Sequence, residues 1–391
     1  VHSIILRFES LYSMVWINTL VNSPWFPLII ALIILLVIQL VYYWLIFGRL
    51  AFYNASKRRF SDNKPPVSVI ICAKNEYHNL VRFLPKVLEQ NYPDFEVIVV
   101  NDASDDDTFY LLREFSDKYA RLKIVTITEN LNFFQGKKFP LSLGIKSAEF
   151  EHILLTDADC VPAGPDWISS MMSAFTDSTE IVAGYGAYNH EPTLLNKIIR
   201  FDTVQVAMQY MGFALDGMPY MGVGRNLAYH RSLFYNSGGF IKHYKLISGD
   251  DDLFINQVAN KRNARVQPDP ASFTYSKPKQ TFGSWYRQKR RHLTTGGFYK
   301  LKHKLSLGLW SFSQFFFFAI IILLAVLKVE PILLGVIFAI RLGTQLFITK
   351  KCMIRLRETK FLLWIPFFEI FMMIMNLWLG FVGFFSKKTQ W

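Results

Sequence analysis

The sequence predicts an α/β domain built on a mostly parallel sheet, joined to transmembrane α-helices. Two observations carry this. Short β-branched runs alternate with amphipathic helical segments between residues 65 and 160, the pattern of successive strand–helix units whose parallel sheet is covered on both faces. Long apolar stretches flank that region on both sides, each close to the roughly twenty residues a helix needs to cross a bilayer.

Composition agrees. The chain has 391 residues, 51% hydrophobic and 16% aromatic, with a net charge of +13. Such a basic excess is the ordinary footprint of nucleic-acid binding. Here the basic residues sit beside the apolar spans, where the positive-inside bias puts them, so no nucleic-acid partner is expected. Cys72, Cys160 and Cys352 are far apart and form no Cys-x-x-Cys. They define neither a disulfide framework nor a zinc site, and they fit a reducing compartment.

In chain order, residues 1–24 are mixed, with weak amphipathic patterning at 11–17. Residues 28–47 are apolar except for Gln39, with Trp25 before them and Tyr42, Tyr43 and Trp44 at the far end, as in an aromatic belt. The run is too long for a signal peptide and no small-x-small cleavage site follows it. Arg49, Lys57, Arg58 and Arg59 come next, which places this end in the cytoplasm. A polar linker at 62–66 leads to a buried strand at 67–73, closed by Lys74-Asn75-Glu76. A helix at 79–90 follows, then a strand at 95–100, a helix at 108–119 and a strand at 122–127. Asp105, Asp106 and Asp107 read as a solvated turn and helix cap. Gly136-Lys137-Lys138 opens a helix to 147, and the next strand, from 153, ends in Asp157-Ala158-Asp159.

Beyond this point the pattern loosens. A strand is expected over 181–188, a helix over 194–211, and a glycine-rich turn at 222–226 leading into a strand. Gly249-Asp250-Asp251-Asp252 opens a helix through 260, where acids also suit the helix dipole. Residues 285–303 are dense in basic and aromatic side chains and read as an amphipathic helix on the membrane surface. Three further spans are expected at 305–327, 331–349 and 361–385, the last interrupted by Pro366 and Glu369, with a basic loop at 350–357. The charge bias puts 48–304 and 350–360 in the cytoplasm. Arg341 and Glu369 are costly in lipid, so they should pair or line a polar path. The expected domains are therefore 1–64, 65–304 and 305–391.

Chemistry concentrates after strands. Acids at the carboxyl edge of a parallel sheet lie where open α/β sheets bind ligands. Asp-x-Asp can hold a hard divalent cation against a diphosphate, leaving coordination positions for phosphate oxygens. An acid within 249–252 can act as a general base.

In this order the motifs resemble the membrane-bound, family 2 glycosyltransferases with a GT-A fold, the group of cellulose and hyaluronan synthases and lipid glycosyltransferases. The resemblance covers about 65–297. It implies a donor site at Ala73, Asn75, Glu76, Asp102, Lys137, Asp157, Gln288 and Arg291, and a metal, Mg²⁺ or Mn²⁺, on Asp159 with Asp157. The base is an acid of the Gly249-Asp250-Asp251 motif. Asp251, which ungapped matching favours, is the expected base, with Asp250, favoured by alignment on Leu253, as the alternative. Acceptor contacts fall on Gly224, Asn226 and His292, the last standing where the family usually has Trp. The implied activity is metal-dependent, inverting transfer of a sugar from a nucleotide donor, first a UDP-sugar, to a lipid or growing glycan. The alternatives are a polysaccharide synthase coupled to export and a non-catalytic membrane scaffold. A bacterial inner membrane is the expected location.

Overall fold

Runs such as Val67-Ser68-Val69-Ile70-Ile71 show no polar alternation, so they suit strands buried on both faces. In the computed structural model, which describes residues 21–54, 61–128 and 136–385, they form the middle of a seven-stranded sheet. Its strands are β1 (Val67–Ala73), β2 (Phe95–Asp102), β3 (Leu122–Ile127), β4 (His152–Asp157), β6 (Ile181–Gly184), β8 (Leu227–His230) and β9 (Ala264–Gln267), in the order β3-β2-β1-β4-β8-β6-β9. A smaller sheet has the order β5-β10-β7, from β5 (Cys160–Pro162), β7 (Gly186–Tyr188) and β10 (Thr274–Ser276). β1 lies parallel between β2 and β4, with Ile71 opposite Val99 on one side and Thr156 on the other. β8 runs antiparallel to both β4 and β6, and β9 pairs parallel with β6.

The helices, numbered in chain order, are α1 (Phe26–Ala51), α2 (Tyr77–Leu88), α3 (Thr108–Lys118), α4 (Lys138–Ser147), α5 (Trp167–Ser173), α6 (Leu194–Leu215) and α7 (Arg231–Asn236). They continue with α8 (Asp252–Val258), α9 (Phe282–Leu293), α10 (Leu301–Val326), α11 (Pro331–Arg355) and α12 (Ile365–Phe385). On one face of the sheet Val69, Ile71, Val97 and Val99 pack with Leu80, Leu84, Leu112, Trp167 and Met171. Removing Trp167 from water contributes on the order of 4–6 kcal/mol before entropy is counted. Among the described residues, four helical segments are long and apolar enough to cross a membrane, Phe26–Ala51, Leu301–Val326, Pro331–Arg355 and Leu362–Val382.

The chain divides into two compact units, 1–43 with 306–347 and 44–305 with 348–391. Within the first, the buried Arg341 donates to Gln39 Oε1 at 2.9 Å and to Gln345 Oε1 at 2.8 Å, and its guanidinium lies 4.8 Å from the Phe318 ring centre. The cation is thus held by amides and aromatic faces. Within the second, Arg200 is bonded to Glu358, both side chains only 3–4% exposed, and Tyr185 donates to the same carboxylate at 3.1 Å. This ties the segment after α11 to α6.

Four expectations change. Residues 181–188 form two strands rather than one, because Tyr185 turns the chain from the large sheet into the small one. The helix expected at 285–303 ends at Leu293, where Gly296 and Gly297 enter a short 3-10 turn before α10 starts. The basic stretch 350–357 is not a loop: α11 continues to Arg355, since lysines and arginines are good helix formers. Pro366 does not interrupt α12, because it lies in the first turn, where a missing N–H costs nothing. The patterning at 11–17 lies outside the described residues.

Candidate active site

The site lies at the carboxyl ends of β1, β2 and β4. These strands diverge around the point where the chain order reverses, the usual crevice of an open α/β sheet. Asn75 follows β1 in left-handed backbone, φ 57°, a conformation asparagine tolerates better than most residues. Its N–H donates to Ser104 Oγ at 3.0 Å and its side-chain oxygen accepts the Asp105 N–H at 2.8 Å. The Glu76 N–H reaches Thr108 Oγ1 at 3.2 Å, and Asp106 accepts the N–H groups of Tyr77 and Thr108. The acidic turn therefore stitches two strand ends together, as a cap. Glu76 accepts from Asn79 Nδ2 at 2.6 Å. Burial, with Asp159 and Asp157 near, raises its carboxyl above the usual range. Asp102 ends β2, and burial raises it as well, against the pull of Lys74. Ala73 is buried in the core, so only its backbone can face a ligand.

Asp157 ends β4 beside Cys72 of β1. It is paired with Lys137 Nζ and keeps 39% of its side chain accessible. Burial alone would raise the Asp157 carboxyl, but Lys137, Arg225 and Arg291 hold it below the usual range. Lys137 responds in the opposite sense: burial lowers it, and Asp157, Cys72 and Asp250 more than offset that. Asp159 forms no ion pair among the described residues, and burial together with the Asp157 charge raises it against the weaker pull of Arg225 and Lys279.

Ligand atoms of Asp157, Asp159 and Cys160 lie within 4.8 Å of one another. The Cys160 thiol is buried and raised by that burial, and a protonated sulfur is a poor partner for a hard ion. The two carboxylates suit an oxygen-seeking dication that a diphosphate would share. The raised Asp159 marks negative charge that such an ion would neutralise.

Across the cleft stands Gly249-Asp250-Asp251-Asp252. Gly249 has φ +99°, and a Cβ there would meet Leu253 Cδ1 at 2.5 Å, so the turn requires glycine. The three acids differ. Asp252 is buried and accepts from Thr295 Oγ1, from Tyr299 Oη at 2.7 Å and from the Leu253 N–H at 2.8 Å. Asp251 caps α8: one oxygen accepts the Asp252 N–H at 2.7 Å and the other the Gly224 N–H at 2.8 Å. Among the described residues the Asp250 carboxylate accepts no hydrogen bond from another residue, only from its own backbone N–H. Burial, then the Asp251 charge, pushes it up to about 6. Asp251 is also pushed up to about 6, by burial and by Asp252.

Arg225 closes the wall and was missed from sequence, although it is the single charge within Gly222-Val223-Gly224-Arg225-Asn226. Its guanidinium lies 4.3 Å from the Tyr188 ring centre, donates to the Gly186 carbonyl at 2.5 Å and to Ser276 Oγ at 3.3 Å. It helps to hold down the Asp157 carboxyl. Asn226 corrects the expectation of an acceptor contact. It is fully buried, donates to the Tyr185 and Ser272 carbonyls at 2.9 and 2.7 Å, and accepts from Trp167 Nε1 at 3.1 Å. All its strong hydrogen-bonding directions are used inside the fold. From α9, Gln288 reaches the Tyr188 hydroxyl at 3.4 Å and Lys289 pairs with Asp202 at 2.5 Å. Arg291 and His292 lie on the exposed side of that helix.

A sheet-edge crevice with paired acids, a lysine on one of them and a second acidic turn opposite suits a diphosphate ligand that shares a divalent ion. Comparison with known proteins agrees. Residues 68–250 match the model of Glycosyl transferase family 2. A probable glycosyltransferase of Bacillus subtilis (strain 168), YdaM, is 30% identical over 275 residues, 65% of this chain and 63% of that protein. The poly-beta-1,6-N-acetyl-D-glucosamine synthase of Staphylococcus aureus (strain COL) is 23% identical over 262 residues, 64% of this chain and 61% of that protein. The mannosyltransferase PcManGT from Pyrobaculum calidifontis, solved in complex with GDP-Man and Mn²⁺, superposes with a TM-score of 0.57 at 19% identity, covering 84% of this chain and 98% of that one. That likeness shows the fold. The chain spans less than two thirds of the length of these two curated relatives. Residues 68–250 thus carry a glycosyltransferase family 2 domain, and the chain has a GT-A fold.

Proposed function

We propose that this chain is an inverting, metal-dependent glycosyltransferase of a membrane face. It takes a sugar from a nucleoside-diphosphate donor, in first place a UDP-sugar, to a lipid or growing glycan acceptor. One observation carries the reading: a cation-paired acid cluster at Asp157 and Asp159 faces an acid turn whose Asp250 is bonded by no other residue among those described and is raised to about 6. The relatives named as glycosyltransferase and polysaccharide synthase support the same class.

Asp157 and Asp159 would hold Mg²⁺ or Mn²⁺, which when bound supplies Lewis-acid neutralisation of the diphosphate leaving group. The mannosyltransferase solved with Mn²⁺ supports a divalent ion of this kind. Lys137 and Arg225 add fixed positive charge beside the phosphates, with Arg291 on the same side. Asn75, Glu76 and Asp102 form the nucleoside wall. Asp250 removes the proton of the acceptor hydroxyl, whose oxygen attacks the anomeric carbon. The bond to the diphosphate breaks on the opposite side, which inverts the centre. Asp250 is preferred to Asp251, the residue ungapped matching favours, because both Asp251 oxygens are committed to backbone N–H groups. Each of those oxygens keeps a second lone pair, but the two N–H bonds stabilise the charged form and so weaken Asp251 as a base. Gly224 and His292 remain acceptor-side candidates.

We place the catalytic part, residues 65–304, on the cytoplasmic side of a bacterial inner membrane, between membrane segments 1–64 and 305–391. The test is nucleoside-diphosphate release from UDP- and GDP-sugars by detergent-purified protein with lipid extract, with Mg²⁺ or Mn²⁺ and with chelator. Metal-dependent release from one donor, lost in Asp159→Ala, is expected. Equal background in wild type and variant across all donors would remove the transferase reading.

A further inference from the structure

Lys138 stands beside the donor-site lysine and does something different. Only 5% of it is exposed, and it opens α4, where a positive charge meets the unfavourable end of the helix dipole. Burial is also costly for an ammonium group and lowers its proton affinity here, an effect opposed by Asp250, Asp252 and Asp251. Lys138 is therefore disfavoured twice at this position unless its bonds offset the cost. The bonds are there: Nζ donates to the carbonyls of His243 at 2.7 Å, Leu246 at 2.7 Å and Ser248 at 2.6 Å. An ammonium group has three donors, and all three are spent on one loop. That loop runs directly into Gly249 and Asp250.

The neighbouring glycine serves the same contact. Gly136 has φ +86°, and a Cβ there would lie 2.3 Å from the Ile247 carbonyl oxygen. Any side chain would push residues 243–248 away. The three residues of Gly136-Lys137-Lys138 thus have separate tasks. The first admits the loop, the second pairs with Asp157 and the third clamps the loop carbonyls.

We propose that Lys138 is a positioning residue, whose three-carbonyl clamp on residues 243–248 sets the placement of Asp250 for proton removal. This rests on the reading of Asp250 as the base. Lys138 touches neither donor nor acceptor. Its charge matters because the carbonyls of a tight loop point the same way and repel, and a cation between them relieves that repulsion. A misplacement of about 1 Å at a reacting group costs on the order of a hundredfold in rate.

The experiment compares wild type with K138A and K138M. Truncation to alanine leaves space for n-propylammonium, which restores the missing carbons and the cation. In K138A, kcat for nucleoside-diphosphate release should fall roughly a hundredfold while donor KM stays near wild type. Propylammonium should recover much of the loss, and neutral 1-propanol should recover none. Amide exchange over 243–251 should rise in both variants and be suppressed by propylammonium in K138A. A kcat near wild type in folded K138A would overturn the proposal. So would equal rescue by propanol, which would mean that filling space is enough, or a loss of donor affinity that accounts for the whole defect. Failure of both variants to fold would make Lys138 a folding residue and also overturn it. A wild type silent toward every donor would sink the transferase reading alone. Exchange over 243–251 would then decide the clamp, with unchanged exchange in folded K138A counting against it.

Discussion

Exchanging single oxygens for nitrogens in the acid turn separates two roles that neighbouring aspartates could share. Asp250→Asn keeps the size of the side chain and removes its basicity. The Asp250 carboxyl is pushed up to about 6 by burial and by Asp251, so in wild type the base is mostly ionised above that pH and mostly protonated below it. The sign follows directly. The rate rises with pH through about 6 and falls about tenfold for each unit below it, because the ionised fraction does. Removing the base should lower kcat by about 10²–10⁴-fold and abolish this acid limb. Asp251→Asn differs. Its amide oxygen can still accept one of the two N–H bonds, from Gly224 or Asp252, that the carboxylate accepts now. The expected cost is about 1 kcal/mol of stability, typical for weakening a helix cap, with a smaller loss of rate. The assay is nucleoside-diphosphate release across the acidic and neutral range at saturating donor, with nucleotide binding measured in parallel. An acid limb that persists in Asp250→Asn refutes the assignment. So does an Asp251→Asn variant that binds donor normally and loses as much rate as Asp250→Asn.

Other expectations follow from the same geometry. Lys137→Met removes the cation that holds Asp157 down, so its carboxyl should titrate higher and nucleoside-diphosphate affinity should fall about tenfold, measured by calorimetry. Asn226→Ala leaves Trp167 Nε1 and two backbone carbonyls without their partner; it should lose about 2–3 kcal/mol in thermal unfolding. A stable variant defective only toward acceptor would restore Asn226 to the binding surface. Arg200→Met strands the buried Glu358 carboxylate and should destabilise by about 3–5 kcal/mol, seen as a lower unfolding temperature in detergent, whereas replacing both partners with apolar residues should cost less.

Much of this protein was legible in the chain because its signals are local. Strand β3 lies at 122–127 as its β-branched run requires, and the apolar spans announce themselves by length. Asp157, Asp159 and the acid turn were legible because each closes a strand or opens a helix, so backbone periodicity alone aims them at the sheet edge. The resemblance to family 2 came from their order along the chain.

Tertiary structure decided what depends on partners distant in sequence. Arg225 looks like a residue of a glycine turn until Tyr188 and Gly186 are brought beneath it. Asn226, one position on, alternates to the other side of the chain and is consumed by Trp167, Tyr185 and Ser272. Two adjacent lysines, chemically identical, divide between an acid on β4 and the carbonyls of a loop a hundred residues away. Nor does sequence separate Asp250 from Asp251, because what distinguishes them is which carboxylate finds the Gly224 N–H. Residue type and spacing determine which chemistry is present. Hydrogen-bond saturation, which needs donors and acceptors to converge in space, determines which of those groups is left free to perform it.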